Sequence, residues 1–384
     1  MPGWVPTGNL NTPRDTHTAT KLPNGTVLVH GGRTFTADST TFLNTSELFE
    51  HGTGTWGPTG TAFFERSSHS AILLRNGKVL VVGGFVQARV VHLPPNQPPW
   101  GYGTELYDPA TGQWESTGPL IFPREYPAVT PLSDGRVLAA GGGDAFGKDP
   151  TVVRTAEIYD PVTQVWTPTG SLVWGRGGLP VSGAISDVLF TATLLTSGLV
   201  LVVGGVSLYD EAAQTCELYE PAAGRWRLAG VLGRYRLGHT ATRLNDGRVL
   251  VAGGVRYTTS GDQNGSIADT EIYDPTTEVC SFVGPLNMAR SGHTATLLPN
   301  GSVLVVGGVG GSGPLNSTEL YDPATQTWTL ADDLNTARSG HTPILWPPRR
   351  GSTQFTVMVA GGLDSHSNSL NSAELFSGPP IIRR

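Results

Sequence analysis

Cysteine is nearly missing from this chain: two thiols, Cys216 and Cys280, among 384 residues. They cannot build the disulfide framework that replaces a core in small secreted scaffolds. Charge is scarce too, at 15% of residues, against roughly 25% in an ordinary globular domain. Lysine is rarest, three against 22 arginines, and the net charge is −6. That balance excludes a basic nucleic-acid footprint. No apolar run approaches the ~18 residues of a membrane-crossing helix, so no membrane partner is expected. The opening Met1-Pro2-Gly3-Trp4 has no basic stretch leading into an apolar one, so no signal peptide is read and the compartment stays open. Long stretches of 3.6-residue periodicity are also missing, which excludes a helical class. What is abundant is punctuation: 51 glycines and 29 prolines.

That punctuation is periodic. A double glycine closes an apolar run at 31–32, 83–84, 141–142, 204–205, 253–254, 307–308 and 361–362. Such spacing, about 55 residues, is the mark of a repeat architecture. Before most pairs lies Asn-Gly or Asp-Gly between two apolar or β-branched runs, as at Asn300-Gly301. This is a strong hairpin signal, because both turn residues must take positive φ. After each pair comes a third strand such as Thr104-Glu105-Leu106-Tyr107, stopped by Asp108-Pro109. A fourth strand carries Trp56, Trp114, Trp166, Trp226 or Trp328, with Cys280 in one copy.

Four short antiparallel strands per unit, repeated seven times, predict an all-β, seven-bladed β-propeller. One such sheet cannot cover its own two faces, so the ring must close. The seventh unit ends after Ala373-Glu374-Leu375-Phe376 without a fourth strand. Gly3-Trp4-Val5-Pro6-Thr7-Gly8 matches the fourth strands at 112–118 and 164–170. The N-terminal strand is therefore expected to complete the last blade, and residues 1–384 to form a single domain.

The double glycine, the Glu-Leu-Tyr-Asp-Pro segment and the spaced tryptophan resemble the kelch repeat family over essentially the whole chain. The wording is similar to bacterial kelch proteins and to the propeller of galactose and glyoxal oxidases. The resemblance implies a loop-bearing face used for function. For the oxidases it also implies copper held by a Tyr–Cys crosslink, a second Tyr and two His, contributed partly by a domain after the propeller. This chain ends at Arg384 without such a domain, and both cysteines read as small buried apolar residues, so no metal and no cofactor is expected. Propeller-only enzymes exist in the family, but the Glu-x3-Asp-x3-His iron triplet of one type is missing. A G-x-G-x-x-G match at 308–313 leads into a strand, not the helix a dinucleotide needs. Asp262 to Ser266 lacks the later Glu of a calcium loop.

Residues present in every copy are expected to serve every blade. Arg14, Arg66, Arg124, Arg236, Arg290 and Arg338 recur, as do third-strand glutamates from Glu47 to Glu374. A buried Arg–Glu pair per blade is the structural reading; a cationic ring for an anion is the functional one. His17, His69, His239, His293 and His341 start the innermost strands. They read as structural hydrogen-bonding groups, because sevenfold spacing does not converge on one metal.

Departures from the repeat are where function is sought. Blade 3 has Pro127 at the histidine position after Arg124-Glu125-Tyr126; blade 4 has Phe190 there and Asp187 where arginine is expected. Strand parity puts the loops after second and fourth strands on one face. Candidate ligand-binding residues there are Arg33 and Phe35 in blade 1, and Arg89, His92, Trp100 and Tyr102 in blade 2. Blade 3 adds Asp144 and Phe146; blade 4 adds Trp174, Arg176 and Phe190; Tyr257 of blade 5 and His366 of blade 7 complete the set. Loops on a rigid scaffold carry function, and aromatic–arginine clusters are binding hot spots. The favoured reading is a monomeric propeller binding a protein, peptide or small molecule through the face over blades 2–5 and the channel mouth. The alternative is an enzyme at the same mouth, acting on a small molecule or peptide. Arg124, Glu125, Tyr126, Asp187, Tyr235 and Arg256 would then supply acid–base or electrostatic chemistry.

Overall fold

The computed structural model describes residues 3–86, 103–144, 151–177, 190–205, 214–256, 265–348 and 354–378. Seven four-stranded antiparallel sheets make seven blades. Their innermost strands touch in order around the ring, and the seventh (Thr342–Trp346) returns to the first (Thr18–Lys21). The second strand of each blade, such as Val79–Val82 or Val303–Val306, is buried at every residue but Thr356 of blade 7. Neighbouring blades cover both sheet faces there, so these strands are almost wholly apolar instead of alternating, with His30 and Thr356 at strand ends as the polar exceptions.

The N-terminal strand closes the ring as the sequence predicts. Trp4–Pro6 pairs antiparallel with the third strand of blade 7, placing Trp4 opposite Phe376. Their rings lie 5.4 Å apart, like the Tyr107–Trp114 pair of blade 2 at 5.2 Å. Eight further short strands form two-stranded ribbons, among them the hairpin of Arg33–Thr36 with Ser39–Phe42. No helix of the described residues is long and apolar enough to cross a membrane.

The double glycine has two physical causes. Gly307 and Gly308 take φ of 57° and 95°, which residues with a Cβ adopt at a cost. A methyl group on Gly307 would also come within 2.5 Å of the Arg338 carbonyl and 3.0 Å of His341 Cε1. Each blade thus leaves a bare backbone surface on which the next blade's first strand sits.

Candidate functional site

Each blade is locked by one buried arginine. Arg290 is typical: its guanidinium meets Glu319 at 2.8 Å and donates to the carbonyls of Gly307 and Ser317. Glu319 in turn accepts from the backbone N–H groups of Asn287 and Met288. Equivalent pairs are Arg14–Glu47, Arg66–Glu105, Arg124–Glu157, Arg176–Glu217, Arg236–Glu271 and Arg338–Glu374. All seven arginines are fully buried.

This corrects two expectations. The blade 4 arginine is Arg176, not a position lost to Asp187, and the insertion of that blade follows it. Arg124 and Arg176, expected at the channel mouth, are inside the blades with their donors committed to glutamate and carbonyls. Sequence spacing hid Arg176, because 14 positions separate it from Phe190 where other blades have three.

The histidines link blade to blade. Nε2 of each shares a hydrogen bond with the hydroxyl of the first Thr on the preceding blade's inner strand. The pairs are His17–Thr342, His69–Thr18, His239–Thr191, His293–Thr240 and His341–Thr294, at 2.9–3.1 Å. Burial first, and then a neighbouring arginine, hold these imidazoles neutral; His239 and His341 are lowered to about 3. The remaining two seams use other means. Ser70 donates to the Pro127 carbonyl at 2.9 Å. Phe190 faces Ala128, so imidazole and hydroxyl are lost together, and both join one apolar cluster.

A cavity of about 470 Å³ opens on the axis where the inner strands begin. In the six blades where it is described, the residue before the ring position lines it, and these residues differ around the ring. Gly238, Gly292 and Gly340 of blades 5–7 have φ of 66°, 58° and 61°. Thr16, Ser68 and Tyr126 of blades 1–3 hold the same left-handed backbone, at 54°, 57° and 53°. One side of the mouth is bare backbone; the other projects two hydroxyls and a phenol at a conformational cost. Tyr126 and Phe190 are sequence candidates that meet here. Thr16 and Ser68 were missed; their signal is the Thr-His and Ser-His that replace Gly-His.

The same division continues outward. Three residues before the arginine, blades 1, 6 and 7 have Asn11, Asn287 and Asn335, whose amides donate to the blade glutamate. Blades 2–4 have Phe63, Ile121 and Val173 there, giving the glutamate only a backbone N–H. Phe63, Ile121 and Phe122 are 43%, 42% and 40% exposed, and Trp174 is half-buried. Blade 6 adds only Met288 to this rim position. Exposed apolar side chains in one contiguous arc mark a contact surface more than scattered ones do.

The other candidates disperse. Arg33 meets Asp15 at 2.9 Å with its guanidinium over Phe35. His366 is exposed on a blade 7 turn, where its N–H donates to Asp364. Tyr235 and Arg256 are exposed on blade 5 and do not line the cavity. Glu125 flanks Tyr126 and pairs by backbone with Gly143. Asp144 lies in a short ribbon strand. Arg89, His92, Trp100, Tyr102, Phe146, Asp187 and Tyr257 lie outside the described residues.

Comparison with known proteins fits this geometry. The Kelch motif matches residues 126–172 and 289–335. Beta-scruin of Limulus polyphemus is 25% identical over 260 residues, 65% of this chain and 26% of that protein. Kelch-like protein 34 of Homo sapiens is 30% identical over 152 residues, 39% and 22% of the two chains. Galactose oxidase of Gibberella zeae is 22% identical over 297 residues, 61% and 41%. This chain therefore spans only about a fifth to two fifths of these relatives' lengths. A copper-complexed fungal alcohol oxidase of the AA5 family superposes with a TM-score of 0.73 at 20% identity, over 98% of this chain and 76% of that one. The chain is a seven-bladed β-propeller carrying kelch motifs, a fold consistent with protein or ligand binding. The copper centre that the oxidase likeness implies does not fit the described residues. They contain no group of three metal-ligating side chains. The channel imidazoles turn Nε2 to neighbouring threonines, and both sulfurs lie away from the cavity lining.

Proposed function

We propose that this propeller binds a protein or peptide through the loop-rich face of blades 2–4, with the channel mouth receiving a side chain of the partner. The observation that supports this is the replacement of Asn by Phe63, Ile121 and Val173 in those blades, which exposes an apolar arc beside Trp174. No requirement of the blade explains it, because blades 1, 6 and 7 satisfy the same glutamate with an amide. The mouth is uncharged: its imidazoles are neutral and its arginines are paired. It suits a neutral or aromatic group reaching Tyr126 and Phe190. The enzymatic alternative has lost Arg124 to the blade pair, and neither Tyr235 nor Arg256 joins Tyr126 at the cavity.

A phage-displayed peptide library selected on the wild-type protein tests the reading. The selected peptides should lose at least tenfold in affinity for a Phe63→Ser/Phe122→Ser/Trp174→Ser variant. They should bind a Leu330→Ser control unchanged, since Leu330 is exposed on blade 6. Equal binding to both variants, with both folded, would discard the assigned face.

A further inference from the structure

The two cysteines are 64 positions apart and on different blades, yet their sulfurs are 3.8 Å apart. Both sit where the repeat is broken. Cys216 precedes the blade 4 glutamate, where other blades have Ser46, Thr104, Ala156, Thr270, Thr318 or Ala373. Cys280 stands opposite Tyr273 in the outer strand of blade 5, where every other blade has tryptophan. At other seams that tryptophan packs on the preceding blade, as Trp226 does on Ala156 and Ile158. At this seam the tryptophan is absent, and Cys280 packs instead against the cluster containing Cys216 and Leu218. Two separate departures therefore compensate each other at one place.

We propose that Cys216 and Cys280 are a redox-modification site that forms a disulfide between blades 4 and 5 in the presence of a low-molecular-weight disulfide such as oxidised glutathione. Cys216 is buried and Cys280 is partly accessible, which fixes the order of events. The Cys280 thiolate attacks a glutathione sulfur, forming a mixed disulfide and releasing one glutathione thiolate. The Cys216 thiolate then attacks Cys280 Sγ and releases the second. The two protons lost by the cysteines go to the two leaving thiolates, so one dithiol and one glutathione disulfide become one protein disulfide and two glutathione thiols. The sulfurs must close from contact to the ~2.0 Å of a bond, a movement shared by two side chains. The site is independent of the proposed binding face.

The test treats the whole folded protein with oxidised glutathione in the presence of a chelator, followed by intact mass and thiol counting under denaturing conditions. Wild type should lose two hydrogens, carry no adduct, and show no free thiol. Peptide mapping should link the segments holding Cys216 and Cys280. Cys216→Ser should stop at one glutathione adduct on Cys280, and Cys280→Ser should stay unmodified. The oxidised wild type should unfold on the order of 5 °C above the reduced form, a shift that both variants lack. A wild type that keeps two thiols, stops at the mixed disulfide, or cross-links only between molecules would overturn the proposal.

Discussion

Blades 5–7 and blades 2–4 share one backbone plan and differ in what they place at the channel and rim. In blades 5–7 the entry to the inner strand reads Gly-His, with glycine supplying the left-handed turn and imidazole reaching the preceding threonine. Blades 2–4 share the Arg–Glu lock, but a serine and a tyrosine hold that turn, and the ring positions are His69, Pro127 and Phe190. Their rim residues are apolar, exposed in blades 2 and 3 and half-buried in blade 4, where blades 6 and 7 have a capping asparagine. A requirement common to all blades is met identically in both halves. The rim asparagine is replaced by an apolar side chain in blades 2–4 and by Gly233 in blade 5, so only blades 2–4 add side chain at that position. The proposed contact surface on blades 2–4 rests on that pattern.

The comparison can be broken most directly at the lock, which should be indifferent to the halves. Arg176→Met and Arg290→Met should each destabilise by about 3–5 kcal/mol, because each leaves a buried glutamate without its partner. Denaturant unfolding measures this. A neutral Arg176→Met would return that residue to the list of binding candidates.

The seams offer a pH test. The folded-state pKa of His341 lies at about 3, below that of an unfolded imidazole near 6.5. Between those values the unfolded chain binds a proton that the folded one refuses, so stability is complete above pH 6.5 and falls as pH falls. At pH 5 this costs about 2 kcal/mol for this one group. His17, His69 and His293 act in the same direction. Asp15 and Glu105, raised chiefly by burial, act in the opposite sense. Thr294→Ala/His341→Phe copies the Ala128–Phe190 seam into blades 6 and 7. Relative to wild type it should recover that ~2 kcal/mol between pH 7.5 and pH 5. A pH dependence identical to wild type would show that His341 does not titrate as its burial demands.

The reverse graft is smaller. Ala128→Thr and Phe190→His should each destabilise, since each buries a polar group without a partner. Combined, they should recover about 1 kcal/mol of coupling by rebuilding the hydrogen bond found at five other seams. An additive double mutant would mean that blades 3 and 4 are spaced differently from the rest. The smallest effect concerns the mouth. An added Cβ on Gly340 would meet nothing within 4 Å, so Gly340→Ser should cost only the left-handed backbone, about 1 kcal/mol. Ser68→Gly should relieve a similar amount by thermal melting. If Ser68→Gly destabilises instead, its hydroxyl is structural and the two sides of the mouth are not functionally distinct.

Much of this was legible in the residues. Trp4 declared its place by matching the fourth strands of other blades, and the Arg–Glu pairs by recurring together. The histidines were legible as structural for the same reason. Arg176 was not, because an insertion separated it from its strand, and register alone then pointed to Asp187. The rim arc was not legible either. Phe63 and Ile121 are unremarkable in a chain of apolar strands until the glutamate that their side chains leave uncapped is seen beside them.

The sequence by itself determined the ring. Seven repeats of a four-strand unit with fixed turn residues permit one closure, and the missing strand at one end names the strand that fills it. Periodicity can do this because it reports local geometry, repeated. Tertiary structure alone decided which residues from different blades meet: Phe190 with Ala128, Cys216 with Cys280, Tyr126 with the open axis. The first two contacts join positions some 60 residues apart, where a pattern within one repeat has no reach and packing between neighbouring blades makes the choice.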